Sequence, residues 1–221
     1  MNGKNNIIVR KAEMKDIPFL ITAIIEADKS GTPRSSYCSL LNIDELVFRG
    51  MLEKIFQLKL GGFEFCVSSF CLLECNNEPI GASASWIEHL NEIPSWQNRM
   101  LSIRETSSPE SYSNLLKISE LSSNLIPPRS SLALQIESVF IVPDFRGGGL
   151  FKKMLDFHID SALKLHPELS NIELVVYDNN IPALKAYSKL GFEVTQQTKL
   201  SNPEINAIFP SDGMVLISKN I

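Results

Sequence analysis

The stretch of sequence that decides the fold is VFIVPDFRGGGL, residues 139–150. It is an apolar, β-branched run that ends at Pro143 and is followed by Arg146 and three consecutive glycines. Apolar residues at helical spacing then run from Leu150 to about Leu165, so the sequence predicts a strand, a glycine turn and a helix. The first N–H groups of a helix are unpaired and lie at the positive end of its dipole, so the turn could bind an anion such as phosphate.

The spacing of the glycines excludes two common phosphate sites. The sequence contains no GxxxxGK[ST] pattern, and Gly147 to Gly149 do not follow the GxGxxG spacing of dinucleotide-binding folds. Taken alone, three glycines before a helix are equally compatible with a flexible turn that binds no ligand. The glycines alone therefore do not indicate whether a ligand binds, and only the surrounding sequence can.

Upstream of the glycine stretch, the sequence predicts a strand, two helices and an antiparallel hairpin. Asp16 is predicted to cap the first helix, with Pro18 in its first turn. A loop rich in Ser, Gly and Thr at residues 28–42 precedes the second helix, which Asp44 is predicted to cap and which extends to about Leu60. The predicted strands here are residues 7–10, 63–75 and 79–86. The predicted inner face of the second helix consists of Leu46, Val47, Met51, Leu52, Ile55 and Phe56.

Downstream, strands and helices alternate. Strands are predicted at residues 132–142, 171–177, 192–198 and 214–218, and helices at residues 150–165 and 182–190. Residues 88–131 differ from the rest because they carry four prolines and many serines, with one helix candidate at about 112–121. This segment is predicted to be an insertion or lid within a single domain of residues 1–221, since it has too few apolar residues for its own core. The composite pattern predicts a mixed sheet covered by helices.

Two motifs together resemble the GNAT superfamily of N-acetyltransferases. Residues 139–150 are similar to its central motif, in which an apolar strand leads through Pro, an acidic residue and an aromatic residue to Arg-Gly-x-Gly-[Ile/Leu]. Residues 180–192, NIPALKAYSKLGF, resemble its Asn-x-x-Ala-x-x-x-Tyr-x-x-x-Gly-Phe. The resemblance covers residues 7–60 and 132–218. It implies an α+β or α/β fold with a mixed, mostly antiparallel central sheet of about six to seven strands, flanked by helices on both faces.

The resemblance also implies where acyl-CoA would bind. Backbone groups of Val139, Phe140 and Ile141 would hold the pantetheine arm and the acyl carbonyl, and Asn180 and Ala183 would line the other side of the ligand. The pyrophosphate would lie on the loop formed by Arg146, Gly147, Gly148, Gly149, Leu150 and Phe151, with Lys152 beside it. Phe151 departs from the family, which usually has Gly or Ala there to let phosphate approach the helix; the ring would have to turn aside.

Two residues are candidates for the chemistry. Glu137 lies on the strand that leads into the loop, where several family members carry a catalytic glutamate, and is the predicted general base. The alternative is a solvent-facing strand residue, because Gln135 and Glu137 alternate with apolar neighbours. The resemblance places Tyr187 near the thioester sulfur as the predicted general acid, and core packing on a helix face is its alternative.

Composition narrows the class of partner. The net charge of −4 and the pI near 5.5 argue against a nucleic-acid-binding protein. No apolar run is long enough to span a bilayer, and the polar N-terminus, Met1 to Arg10, predicts no signal peptide. The four cysteines show no CxxC spacing and the histidines no HExxH pattern, so free buried thiols and no metal are expected. A cytoplasmic monomer or homodimer that does not associate with membranes is predicted.

The predicted function is an N-acetyltransferase that uses acetyl-CoA to acetylate an amine of a small molecule or peptide by direct attack. The first alternative is a non-catalytic acyl-CoA-binding regulatory domain with the same fold, and the second is a loop that only turns the chain. The acceptor is expected to contact residues 28–42, including Arg34 and Tyr37. The insertion could close over a cationic small molecule, or could form a dimer contact or a solvated loop. Its candidate contact residues are Trp86, Trp96, Glu88, Glu92, Glu105 and Glu110.

Overall fold

A mixed sheet of seven strands forms the centre of the structure, a computed structural model that describes residues 6–90 and 92–221. Residues 1–5, half of the polar N-terminal segment Met1 to Arg10, lie outside the described residues. In chain order the strands are β1 (Ile7–Lys11), β2 (Phe70–Cys75), β3 (Glu78–Ile87), β4 (Leu134–Ile141), β5 (Asn171–Tyr177), β6 (Glu193–Lys199) and β7 (Gly213–Asn220). Their order in the sheet is β1-β2-β3-β4-β5-β7-β6, and only β4 and β5 run parallel. The predicted mixed, mostly antiparallel sheet is confirmed.

Helices cover both faces of the sheet, as predicted. The helices in the described residues are α1 (Ile17–Lys29), α2 (Ser36–Leu41), α3 (Glu45–Ile55), α4 (Ser95–Thr106), α5 (Pro109–Leu121), α6 (Leu150–Leu163), α7 (Ile181–Ser188) and α8 (Pro203–Ile208). Buried residues of α6 and α7, such as Met154 and Tyr187, pack in one apolar cluster. The other helices contribute residues such as Leu20, Phe48 and Leu115 to a second cluster on the opposite face. Burying an apolar stripe of each helix on the sheet is what holds the layers together.

The second predicted helix is α3, and it is shorter than the sequence suggested. The Asp44 carboxylate accepts a hydrogen bond from the Val47 N–H at 2.8 Å, which confirms the predicted cap. The helix ends at Ile55 rather than near Leu60. Leu46 and Val47 are 79% and 49% exposed, so their placement on the inner face is wrong. The buried stripe starts at Phe48, two residues after the predicted start at Leu46, and follows the helical spacing through Met51, Leu52 and Ile55.

Three local predictions near the N-terminal half are also corrected. The predicted loop at residues 28–42 contains α2. The predicted strand at residues 63–75 begins only at Phe70, because Val67–Ser69 form a 3₁₀ turn whose Ser69 hydroxyl donates to the Phe63 carbonyl at 2.9 Å. Asp16 is the N-cap residue of α1, as predicted, but its side chain makes no capping hydrogen bond to the helix: the carboxylate accepts from the Glu13 N–H and pairs with Arg10.

The segment at residues 88–131 holds two helices, α4 and α5, where the sequence predicted one. Helix α4 was missed because its sequence, SWQNRMLSIRET, has few apolar residues, and Ile103 is its one fully buried large aliphatic side chain. Ile103 joins Leu115 and Ile118 of α5 in the same apolar cluster as α1 to α3. The segment therefore packs on the rest of the chain through a shared core. The six-residue α8 was also missed.

The feature that positions the site is the divergence of β4 from β5. In the described residues they pair only at Leu134 with Ile172 and at Gln135 with Glu173. Further along β4, Ser138 has a φ of 52°, and Glu137 and Phe140 face Ala84 and Ala82 of β3, so β4 carries one extra residue. Such a bulge bends a strand. The bend opens the sheet between β4 and β5.

Candidate active site

A cleft of about 360 Å³ occupies the gap between the diverging strands. Its walls come from β4 and β5, from the end of α1 and the start of α2, and from α4, α5 and α7. The two strands are unpaired beyond Gln135, and the cleft is lined there by residues 136–139 of β4; none of the glycine-loop residues 146–151 lines it. The structure brings several of the predicted site residues to this cleft: Glu137, Val139, Asn180, Ala183 and Tyr187.

The glycine loop is open to solvent at the start of α6. Gly147 and Gly149 have φ values of 85° and 70°, in the left-handed region that other residues avoid, and Gly149 is the N-cap of the helix. A Cβ added at either glycine would have no neighbouring atom within 4 Å. The N-terminal N–H groups of α6 therefore lie on an uncovered surface, as an anion site requires.

The large residues of the loop turn away from this surface. Leu150 and Phe151 are buried, and the Phe151 ring packs against Tyr187 with ring centroids 5.0 Å apart. Arg146 lies back over β4: its Nε donates to the Ile141 carbonyl at 2.8 Å, and its guanidinium lies 6.0 Å from the centre of the Phe140 ring. The Phe151 side chain therefore packs in the apolar core, not over the start of α6.

Two further predicted residues have specific partners. Lys152 forms an exposed ion pair with Asp156 one turn along α6, at 2.6 Å. Asn180 caps α7 through a bond from the Ala183 N–H to its side-chain oxygen at 3.3 Å, while its Nδ2 donates to the Ser30 hydroxyl at 2.9 Å. Asn180 thus joins the start of α7 to the end of α1 across the cleft.

Glu137 is held by two arginines rather than facing solvent. Its Oε1 pairs with Arg129, and its Oε2 lies 3.9 Å from a terminal nitrogen of Arg99. Gln135 is fully buried and donates to Glu173 at 2.9 Å, so the solvent-facing alternative for both residues is wrong. Burial and repulsion from Arg99 lower the pKa of Arg129, whose guanidinium also packs 5.3 Å from the centre of the Trp86 ring.

Tyr187 is buried between two aromatic rings, Phe151 and Phe192. Burial raises its pKa well above the ordinary value, so the phenol stays protonated at neutral pH. Its hydroxyl forms no hydrogen bond with any residue that the structure describes. Tyr187 therefore packs in the core, which is the alternative given for it above, and it also lines the cleft.

The structure adds charged residues at the cleft that sequence reasoning missed: Glu64, Arg99 and Arg129. Glu64 precedes β2 and Arg99 lies on α4, so 35 positions separate them and no local pattern joins them. Of the acceptor contacts predicted from residues 28–42, Tyr37 lines the cleft, whereas Arg34 donates to the Cys38 carbonyl on the same segment.

The acidic residues proposed to close over a cation do not line the cleft. Glu88 is buried and accepts from the Trp86 indole and the Ser95 N–H, each at 2.9 Å, so it fixes the start of α4. Glu92, Glu105 and Glu110 are exposed elsewhere. Trp96 is 57% exposed. The prediction that these acidic side chains form the acceptor site is therefore wrong.

The cysteines, Cys38, Cys66, Cys71 and Cys75, are buried free thiols as predicted. Among residues 6–90 and 92–221, no group of three or more His, Cys, Asp or Glu side chains could hold a metal ion. None of the helices described above is both long and apolar enough to cross a membrane.

Comparisons with known proteins agree with this architecture. The sequence model of the acetyltransferase (GNAT) family matches residues 62–192. An N-acetyltransferase structure from Staphylococcus aureus Mu50 has 16% identity and a TM-score of 0.62, over 96% of this chain and 100% of that one. A mutant agmatine N-acetyltransferase in its apo form has 12% identity and a TM-score of 0.58, over 98% of this chain and all of that one. A ribosomal-protein-alanine N-acetyltransferase from Brucella melitensis has 13% identity and a TM-score of 0.51, over 97% and 99%. No curated protein sequence matches the chain.

Proposed function

Because the chain belongs to the GNAT family of acetyltransferases and is a GNAT-type acyltransferase, we propose that it transfers an acetyl group from acetyl-CoA to an amine of a small molecule or peptide. The observation that carries this proposal is the cleft between β4 and β5. It lies against the part of β4 that precedes the glycine loop, and Glu137 and Tyr187 line it.

Acetyl-CoA would use the unpaired edge of β4 and the start of α6. Beyond Gln135 the β5-facing edge of β4 has no strand partner among the described residues, so Val139, Phe140 and Ile141 can pair with the amides of the pantetheine arm. The pyrophosphate would lie on the loop from Arg146 to Phe151, where the backbone N–H groups of α6 are uncovered. Lys152 would approach it by leaving Asp156, while Asn180 and Ala183 line the opposite wall.

The reaction is a direct displacement at the thioester. An amine is protonated at neutral pH and must lose a proton before it attacks, and Glu137 would accept that proton directly or through a water molecule. The new N–C bond forms as the C–S bond breaks, and Tyr187 would protonate the departing thiolate. A backbone N–H near Ile141 would stabilise the charge that develops on the acyl oxygen.

The ion pair between Glu137 and Arg129 both helps and hinders the proposed general base. It holds the carboxylate at the cleft before the acceptor arrives, but it also occupies Oε1, one of the two oxygens that could accept the proton. Proton transfer would therefore need the pair to loosen when the acceptor binds, or a water molecule to carry the proton. A covalent acyl-enzyme is not part of the mechanism, since the cysteines are buried and none lines the cleft.

The proposal is tested by ligand-induced stabilisation followed by turnover. Acetyl-CoA is expected to raise the Tm of the protein, and a thiol reagent is expected to detect free CoA when the right amine from a panel of small and peptide amines is added. A Gly149→Val variant is the control, because a β-branched residue at a φ of 70° distorts the loop and should abolish the stabilisation. Absence of stabilisation in the wild type would overturn the proposal. Stabilisation without turnover on any amine would favour the regulatory alternative.

A further inference from the structure

A buried carboxylate lies in the cleft beyond Glu137. Glu64 is 1% exposed; its Oε1 accepts from the Tyr37 hydroxyl at 3.1 Å and contacts Nε of Arg99. Its other oxygen, Oε2, is fully buried and has no hydrogen-bond partner among the described residues. Leaving a buried acceptor unsatisfied costs about 1–3 kcal/mol, and more if it is charged. A donor supplied by a ligand would remove this cost.

The charges around Glu64 favour a positively charged donor. Arg99 lies between two carboxylates: its Nε contacts Glu64 and a terminal nitrogen is 3.9 Å from Glu137. Burial is the largest single effect on the pKa of the Arg99 guanidinium and lowers it, but the attractions of Glu64, Tyr37 and Glu88 and the hydrogen bond to Glu64 together raise it above its ordinary value. Among the charged side chains that line the cleft, Glu64 and Glu137 balance Arg99 and Arg129. A free carboxylate oxygen forms its strongest hydrogen bonds with a positively charged donor.

Asp28, unlike Glu64, has no carboxylate oxygen without a hydrogen-bond partner. Its carboxylate accepts from the Ser35 and Ser36 hydroxyls and from the Tyr37 N–H, so both oxygens already have partners. Burial also raises the pKa of Asp28. Glu64 therefore has the unsatisfied oxygen among the three carboxylates that line the cleft.

We propose that Glu64 binds a second positively charged group of the acceptor, so that the acceptor is a short diamine or an amine that carries a guanidinium. This inference rests on the proposed function, in which the amine that reacts lies beside Glu137. One guanidinium separates the two carboxylates, so a chain of a few carbons joins the reacting amine to the second charge. Glu64 is therefore proposed to select the acceptor: its Oε1 already accepts a hydrogen bond from Tyr37, and its Oε2 is left to bind the acceptor.

An amino-acid acceptor is the competing class, with its carboxylate on Arg99. Arg99 already has a carboxylate on either side, and a third would be an unmatched negative charge that brings no donor to the unpaired Oε2 of Glu64. Burying such an unmatched charge is unfavourable. The geometry therefore favours a cation over an anion at this end of the cleft.

The test uses three compounds that differ only at one end: 1,4-diaminobutane, butylamine and 4-aminobutyrate. Their affinities are measured calorimetrically with CoA present, so that no turnover is needed, and their kcat/KM values with acetyl-CoA are measured separately. The wild type is expected to bind the diamine at least about tenfold more tightly than the monoamine, and the amino acid most weakly. Glu64→Gln should bring the ratio of diamine to monoamine affinity close to one, because it keeps the shape and removes the charge.

Glu105→Gln is the matched control, because it removes the same charge from an exposed position on α4, next to Arg104. It should leave the diamine affinity as in the wild type. Retention of the wild-type Tm by Glu64→Gln, with acetyl-CoA stabilisation intact, would show that the variant folds. If it fails to fold, the ranking of the three compounds on the wild type still decides the matter.

Equal affinities for the diamine and the monoamine, or a preference for 4-aminobutyrate, would overturn the inference. So would a diamine preference that survives in a folded Glu64→Gln protein. Failure of the proposed function would give a different result. Acetyl-CoA would not stabilise the protein, or no amine would cause release of CoA, independently of the relative affinities for the three compounds. Tight diamine binding without turnover would support the anchor at Glu64 and reject the chemistry.

Discussion

Lowering the pH from 7.5 to 5 is expected to remove about 2 kcal/mol of folding free energy through one residue, His158. This side chain lies on α6 and is 4% exposed. Its Nδ1 is 2.7 Å from the Ser85 hydroxyl, and its Nε2 is 2.9 Å from Ser83 and 3.2 Å from the Cys71 sulfur. These neighbours are uncharged, since burial raises the pKa of the Cys71 thiol to about 11.

Burial lowers the pKa of His158 to about 4, from an ordinary value of 6.5. Between these two values the unfolded chain binds a proton that the folded protein excludes, so stability is present above pH 6.5 and falls as the pH drops towards 4. At pH 5 the unfolded imidazole is mostly protonated and the folded one mostly neutral. The linkage relation then gives a loss of about 2 kcal/mol relative to pH 7.5.

The assay is urea unfolding at the two pH values for the wild type and for His158→Gln. Glutamine keeps hydrogen-bonding groups but does not titrate, so the carboxylates contribute equally to both proteins and cancel in the comparison. The wild type should lose about 2 kcal/mol more than the variant on going from pH 7.5 to 5. Equal losses, within a few tenths of a kcal/mol, would refute a buried neutral His158.

The remaining predictions concern the cleft. Glu137→Gln should lower kcat about 100-fold or more while leaving the Kd for acetyl-CoA unchanged; an unaltered kcat would remove Glu137 from the mechanism. Tyr187→Phe should lower kcat about tenfold or more. Its Tm should not change, because the Tyr187 hydroxyl has no hydrogen-bond partner among the described residues. A variant with the wild-type kcat would show that Tyr187 acts only in packing. Phe151→Ala should cost about 3 kcal/mol in urea unfolding because it empties the contact with Tyr187. The Phe151→Ala variant should still bind acetyl-CoA. If it lost acetyl-CoA binding but kept the wild-type stability, the Phe151 ring would contact the ligand and not the core.

Acceptor identity depends on parts of the chain that are far apart in sequence. Glu64 precedes β2, Arg99 lies on α4 and Glu137 lies on β4, yet the three side chains form one connected group. A sequence pattern reports spacing within one element, so it cannot show that charges from three elements meet. The acidic residues chosen from the sequence, such as Glu105 and Glu110, were grouped by proximity along the chain and are exposed.

The predicted ends of helices and strands agree with the structure where a single physical rule determines them. Strand β5 was predicted at its observed limits because its apolar residues are continuous, as in a strand covered on both faces. The cap at Asp44 was predicted because an aspartate before a helix can accept from the third N–H. Helix α4 was not predicted, because it is positioned by packing on α3 and by the hydrogen bond that the Ser95 N–H donates to Glu88, not by a strong apolar stripe.

The sequence by itself determined that a strand, an open glycine turn and a helix follow one another, and that a second motif at residues 180–192 accompanies them. These are local properties, since glycine conformation, helix capping and apolar periodicity act between near neighbours in the chain. The tertiary structure decided that β4 bends away from β5 at Ser138, that Phe151 turns onto Tyr187, and that Glu64 is buried beside Arg99 with one oxygen unsatisfied. Each of these depends on which distant segments come to lie together, and the free energy of that packing is not encoded in any single segment.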